Sequence, residues 1–211
     1  MTVDYTLAIN QNNPCEFTGD AYITLLNRYT SIEEMSKGER IGGNIPYKEF
    51  KAIAADEQNY FVNALQLESI ELSTGGKTEL TTLINSLIEV ASTTDFNEIK
   101  GIIVQWEGDL LQKQSDFSKE DLVSLFSASS MMRYGALYWM ERFKGEAPGS
   151  STAKGSFWKW LACAVSAAVC ILVVGPILAG VSIGLTLTLG GSIIWGAIGF
   201  SVAYGIAFGY D

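Results

Sequence analysis

Apolar side chains occupy alternate positions at the start of the chain, over residues 3–9. Polar or small side chains fill the positions between them, and a period of two is typical of a β-strand. The Asn- and Pro-containing stretch 10–14 then interrupts the pattern. The alternation therefore predicts one short strand over residues 3–9.

Helical periodicity dominates the remainder of the first 145 residues. We predict helices over about 18–35, from Pro46 to about 65, over about 80–91, from Thr94 or Asp95 to Leu110, and from Ser118 to near Gly145. Gly38–Gly43 and Gly75-Gly76 are predicted to be breaks between helices. Thr94 or Asp95, and Ser118, are suited to cap the helices that follow them.

Each predicted helix carries an apolar stripe on one face, which indicates an amphipathic helix packed against others. The stripes are Tyr22, Leu25, Leu26 and Tyr29; Phe50, Ile53, Ala54, Phe61, Ala64 and Leu65; Leu80, Leu83, Ile84, Leu87, Ile88 and Ala91; Phe96, Ile99, Ile103, Trp106 and Leu110; and Leu122, Leu125, Phe126, Met132, Ala136, Trp139 and Phe143. The fold class is therefore mainly α, with residues 1–145 forming a helical bundle whose aromatic and Met side chains lie in the core. The adjacent acids Glu33-Glu34, Asp56-Glu57 and Glu120-Asp121 are expected in solvent or in first helical turns.

A long uncharged segment follows this predicted domain. Residues 146–156 are small, polar and rich in helix breakers, which predicts a linker. Residues 157–211, here called the tail, contain no charged side chain from Trp160 to Tyr210. Since one membrane-spanning helix needs about 20 apolar residues, the tail is long enough for two.

Two arrangements of the tail fit its pattern, and each is a hairpin. Trp158, Lys159 and Trp160 are typical of a membrane interface, and the chain is expected to turn at Gly175-Pro176 and Gly190-Gly191. Small residues recur every four positions in 199–209, which suits two membrane-spanning helices and self-association through those residues. The period of two in 181–189 and 198–210 instead suits one helix followed by a β-hairpin. We favour helices.

The charge of the chain limits its possible partners, and its cysteine content limits its possible disulfides. The net charge is −9, and all but two basic and all but one acidic residue lie in residues 1–150. An acidic domain without a basic cluster argues against nucleic acid as a partner. The three cysteines, Cys15, Cys163 and Cys170, do not suggest a disulfide framework, and the first residues do not have the pattern of a signal peptide.

The chain lacks the residue patterns of common catalytic sites. It contains no histidine, which excludes Ser-His-Asp and Cys-His systems and histidine-based metal sites. Gly75-Gly76-Lys77-Thr78 ends like a phosphate-binding loop, but Glu71 stands where that motif requires glycine. We expect no enzyme activity, catalytic residue, cofactor or metal.

The layout of a helical domain followed by an uncharged apolar hairpin is similar in plan to pore-forming bacteriocins and effectors. It departs from the colicin arrangement because no amphipathic helix follows the hairpin. We therefore expect a membrane-inserting protein, a pore-forming toxin or effector whose tail is masked in water and whose partner is a lipid bilayer. The alternatives are a resident membrane-anchored protein with a cytosolic helical interaction domain, and a soluble protein with a buried tail.

Overall fold

A computed structural model describes residues 3–26, 72–90, 95–143 and Ala164. These residues contain four α-helices: α1 (Phe17–Leu26), α2 (Thr74–Glu89), α3 (Phe96–Gln112) and α4 (Lys119–Phe143). Two short 3₁₀ helices, Tyr5–Ala8 and Gln114–Asp116, precede α1 and α4. No strand occurs in these ranges, so the predicted helical character of the first domain is confirmed for this part of the chain.

Helix α4 is the centre of the packing. Helices α1, α2 and α3 and the first 3₁₀ helix all contact it, and α2 also packs on α3. Every residue from Ser124 to Met140 is buried, so burial on α4 extends beyond the single apolar face that was predicted for it. The segment has only one charged side chain, Arg133, and a helix that is apolar nearly all round is buried nearly all round.

The predicted N-terminal strand is wrong, because residues 5–8 form a 3₁₀ helix. The Asp4 carboxylate caps it by accepting hydrogen bonds from the Thr6 N–H at 3.1 Å and from the Thr6 hydroxyl at 2.6 Å. Such local bonds from Asp compete with a strand ladder. Leu7 and Ile9 remain exposed, so the alternation did not reflect burial on one side of a sheet.

The glycine pair Gly75-Gly76 lies in the first turn of a helix instead of forming a loop, which corrects a further prediction. The Ser73 hydroxyl caps α2 by accepting from the Gly76 N–H at 3.1 Å. The Ser73 N–H in turn donates to the Asp121 carboxylate of α4 at 3.0 Å. Asp121 is therefore buried at a first helical turn, while its neighbour Glu120 is exposed.

The other predicted caps and stripes agree with the structure where it describes them. Asp95 accepts from the Asn97 N–H at 2.9 Å, and Ser118 accepts from the Asp121 N–H at 3.0 Å. The buried members of the predicted stripes are Tyr22, Leu80, Leu83, Ile84, Leu87, Ile99, Ile103, Trp106, Leu110, Leu125, Phe126, Met132, Ala136 and Trp139.

Several predictions concern residues outside the described ranges. They are the helix from Pro46, the linker 146–156, the interface residues Trp158, Lys159 and Trp160, and the turns at Gly175, Pro176, Gly190 and Gly191. Among the helices that the structure describes, none combines the length and the apolar character needed to cross a membrane.

Candidate functional site

A carboxylate lies at the centre of the helical packing. Glu107 of α3 is fully buried, and it occupies the same helical face as Ile103 and Ile99, four and eight residues earlier. Its Oε1 accepts from Asn13 Nδ2 at 2.6 Å, Ser129 Oγ at 2.6 Å and Arg133 Nε at 3.1 Å. Its Oε2 accepts from Asn10 Nδ2 at 2.6 Å. Because four donors surround this carboxylate, the cost of removing its charge from water is offset.

Arg133 of α4 pairs with two carboxylates and is also fully buried. Beside its bond to Glu107, its terminal nitrogens donate to both carboxylate oxygens of Glu16 and to the Ala8 carbonyl. Burial by itself lowers the pKa of the guanidinium, but the hydrogen bonds and charges of Glu16 and Glu107 raise that pKa above its ordinary value. We call Glu16, Glu107 and Arg133 the buried charge network.

Glu16 connects this network to the N-terminal segment, residues 3–26. Its Oε1 accepts from the Asn10 N–H at 3.1 Å and from the Tyr134 hydroxyl at 3.0 Å. Its backbone carbonyl accepts from Ser130 Oγ at 3.0 Å. Burial, together with the negative charge of Glu16, raises the pKa of the Tyr134 phenol. The segment is therefore fastened to α4 by both side-chain and backbone groups.

The backbones of α1 and α4 approach closely at Gly19. A Cβ atom added there would lie 2.3 Å from Tyr134 Cδ2 and 2.8 Å from the Ser130 carbonyl oxygen. The Gly19 N–H donates to Ser130 Oγ at 3.1 Å. Only glycine permits this distance between the helices, so α1 reaches Arg133 and Tyr134 because residue 19 has no side chain.

One residue of the tail lies against the same pair of helices. Ala164 has helical backbone conformation and is 1% exposed. A Cβ atom added at Gly135 of α4 would lie 3.4 Å from Ala164 Cα, 3.5 Å from Ala164 Cβ and 3.6 Å from Tyr22 Cε1. We call Tyr22, Gly135 and Ala164 the tail contact. Gly135 follows Arg133 and Tyr134 directly, so the tail contact adjoins the buried charge network.

The charged groups of the buried charge network are paired with opposite charges and with hydrogen-bonding side chains. In the parts of the chain that the structure describes, no three His, Cys, Asp or Glu side chains are grouped to hold a metal ion. Cys15 is a buried free thiol, and burial raises its pKa despite a hydrogen bond with Ser127. A buried thiol with a raised pKa is a poor nucleophile. The arrangement is suited to holding segments together.

The members of this network were not predicted from the sequence, although the sequence contains a signal for two of them. Glu107 is a charged residue on an otherwise apolar stripe, and Arg133 is the only charged residue between Asp121 and Glu141. A charge at a position expected to be buried usually has a partner of opposite charge. The partner on the N-terminal segment, Glu16, had no comparable signal. The predicted membrane-interface and hairpin residues lie outside the described ranges, so the structure neither assembles nor separates them.

Comparison of the chain with protein-family models, with curated proteins and with solved structures finds no match in any of the three.

Proposed function

We propose that this protein inserts its uncharged tail into a lipid bilayer as a pore-forming toxin or effector, and that the helical domain covers the tail in water. The burial of Ala164 against Gly135 and Tyr22 carries the proposal. It supports a folded state in which the helical domain covers part of the tail.

The composition of the tail supports the membrane as its destination. No charged side chain interrupts residues 160–210, and burial of apolar surface from water contributes about 25 cal/mol per Å². The tail therefore has two favourable environments, the interior of this protein and the interior of a bilayer. A change that separates the tail from α4 favours the second environment.

The small residues at the tail contact suit a reversible association. Gly135 has no side chain and Ala164 has a single methyl group, so neither of these two residues has a large side chain to withdraw when the tail separates from α4. Small residues also permit close helix packing within lipid. The same composition therefore serves both proposed states of the tail.

Vesicle leakage tests the proposal. Purified full-length protein is added to dye-loaded vesicles of zwitterionic lipid and of mixed anionic lipid, and flotation measures the bound fraction. We expect binding and dye release. Protein that neither floats with vesicles nor releases dye, at any pH from acid to neutral, contradicts the proposal.

Charge substitutions in the tail provide matched variants. Leu172→Asp and Ile194→Asp are expected to abolish dye release, because a carboxylate in a spanning segment costs roughly 2.5–3.5 kcal/mol. Ser151→Asp places the same charge in the predicted linker and should release dye like the unmodified protein. A lowered melting temperature of the whole protein in both tail variants, without any vesicle binding by the unmodified chain, would instead support a soluble protein with a buried tail. Fractionation of producing cells distinguishes the toxin or effector from the remaining alternative, a resident membrane-anchored protein. Such an anchored protein has no soluble pool.

A further inference from the structure

We propose that the buried charge network controls release of the tail, because it holds α1 in the position that forms the tail contact. The inference rests on the proposed function for its consequence at a membrane. The dependence of the tail contact on the network is a separate claim about the protein in water.

Helix α1 and the residue before it, Glu16, contribute to both the buried charge network and the tail contact. Glu16, Gly19 and Tyr22 are spaced by three residues, so each lies about one helical turn from the next. Glu16 pairs with Arg133, Gly19 sets the distance to α4, and Tyr22 lies beside Gly135 together with Ala164. A displacement of α1 that breaks the first interaction therefore also removes one side of the tail contact.

Three consecutive residues of α4 contact both the N-terminal segment and the tail. Arg133 and Tyr134 hydrogen-bond to Glu16, and Gly135 lies against Tyr22 and Ala164. Within one helical turn, α4 thus binds both the N-terminal segment and the tail. The two attachments are too close for α1 to leave one without affecting the other.

The network favours an all-or-none change. If the N-terminal segment leaves α4, Arg133 loses Glu16 and the Ala8 carbonyl together, and Glu107 loses the amides of Asn10 and Asn13. Buried charges are costly when only part of their hydrogen bonds remain. The segment is consequently expected to stay closed or to separate as a unit, with few partly open states.

The test measures the accessibility of two thiols to an alkylating reagent, without lipid. One protein keeps Cys15 and has serine at Cys163 and Cys170, and a second has Ala164→Cys as its single cysteine. Cys15 and Ala164 are both buried, so both thiols should react slowly. Glu16→Gln removes the carboxylate charge and should accelerate both reactions at least about tenfold, since a hydrogen bond to a charged group contributes enough for that factor.

Control variants separate this effect from general loss of stability. Asp121→Asn weakens the contact of α4 with Ser73 at the far end of the helix and should accelerate neither thiol, measured well below its melting temperature. Tyr134→Phe removes one hydrogen bond from Glu16 and keeps the ring, so it is the milder variant if Glu16→Gln does not fold. It should accelerate both thiols to a smaller extent.

The outcomes distinguish this inference from the proposed function. Acceleration at Cys15 but not at Ala164→Cys overturns the coupling, as does equal acceleration by Asp121→Asn. Acceleration of both thiols by Glu16→Gln upholds it, and the same variant should then release vesicle dye at a lower protein concentration. Faster alkylation of both thiols without any vesicle binding would uphold the coupling and overturn the proposed function.

Discussion

Replacement of Glu107 by leucine tests whether the buried charge network stabilises the fold. The substitution replaces the carboxylate on α3 with an apolar side chain of similar size and so removes the acceptor of four hydrogen bonds. Asn13 Nδ2 and Ser129 Oγ retain the Phe126 carbonyl at 3.0 Å and 3.1 Å. Asn10 Nδ2 and Arg133 Nε lose the acceptor that Glu107 gives them.

The magnitude follows from the burial of the charge that remains. Removal of one partner from a buried ion pair costs about 3–5 kcal/mol. Arg133 keeps Glu16, so we expect the lower half of that range. For a chain of this size, 1 kcal/mol corresponds to about 2–4 °C, so the melting temperature should fall by roughly 6–16 °C.

Urea denaturation followed by circular dichroism provides the free energy of unfolding. Glu79→Leu is the matched control, because Glu79 forms a partly exposed ion pair with Lys113 at 3.0 Å. Exposed pairs contribute about 0.2–1 kcal/mol, so this variant should change stability little. A loss below about 1 kcal/mol for Glu107→Leu, no larger than a single ordinary hydrogen bond, would show that the buried charge network does not stabilise the fold.

Two further predictions concern glycines and alkaline pH. Gly19→Ala should lower the free energy of unfolding by about 1–3 kcal/mol, because its Cβ would overlap α4. A Cβ at Gly101 would meet nothing within 4 Å, so Gly101→Ala should raise the free energy of unfolding by about 0.5–1 kcal/mol. Thermal unfolding of both variants checks these values. The raised pKa of Tyr134 means that the folded protein holds the phenol proton where the unfolded chain, with an ordinary value of 10.0, releases it. Stability should therefore fall as the pH rises above that value, and Tyr134→Phe should show a shallower decline in urea midpoints measured across this range.

The parts of the fold that sequence reasoning predicted are those that depend on local pattern. Leu80, Leu83, Ile84 and Leu87 repeat at helical spacing and are buried in α2. Asp95 and Ser118 cap helices because a short side-chain acceptor next to free N–H groups requires no distant partner. Local rules were sufficient at these positions.

The errors arose where two local signals compete or where the partner is distant in sequence. Alternation in residues 3–9 predicted a strand, but Asp4 forms a capped turn there. The pair Gly75-Gly76 resembles a break, but Ser73 caps a helix through it. The buried charge network joins Glu16 to residues more than ninety positions later in the chain, and periodicity carries no information about such pairing.

A reversible crosslink across the tail contact shows whether the tail must separate from α4 before it enters a membrane. A Cβ atom at Gly135 would lie 3.5 Å from Ala164 Cβ, within the range of about 3.5–4.5 Å that a disulfide requires. The variant carries Gly135→Cys and Ala164→Cys, with Cys15, Cys163 and Cys170 replaced by serine.

We expect that the oxidised, crosslinked protein neither floats with vesicles nor releases their dye, and that reduction restores both. The single variants Gly135→Cys and Ala164→Cys, in the same serine background, should respond to neither oxidation nor reduction. Dye release by the crosslinked protein at the same rate as by the reduced protein would contradict the claim that the tail must leave α4 to enter a membrane.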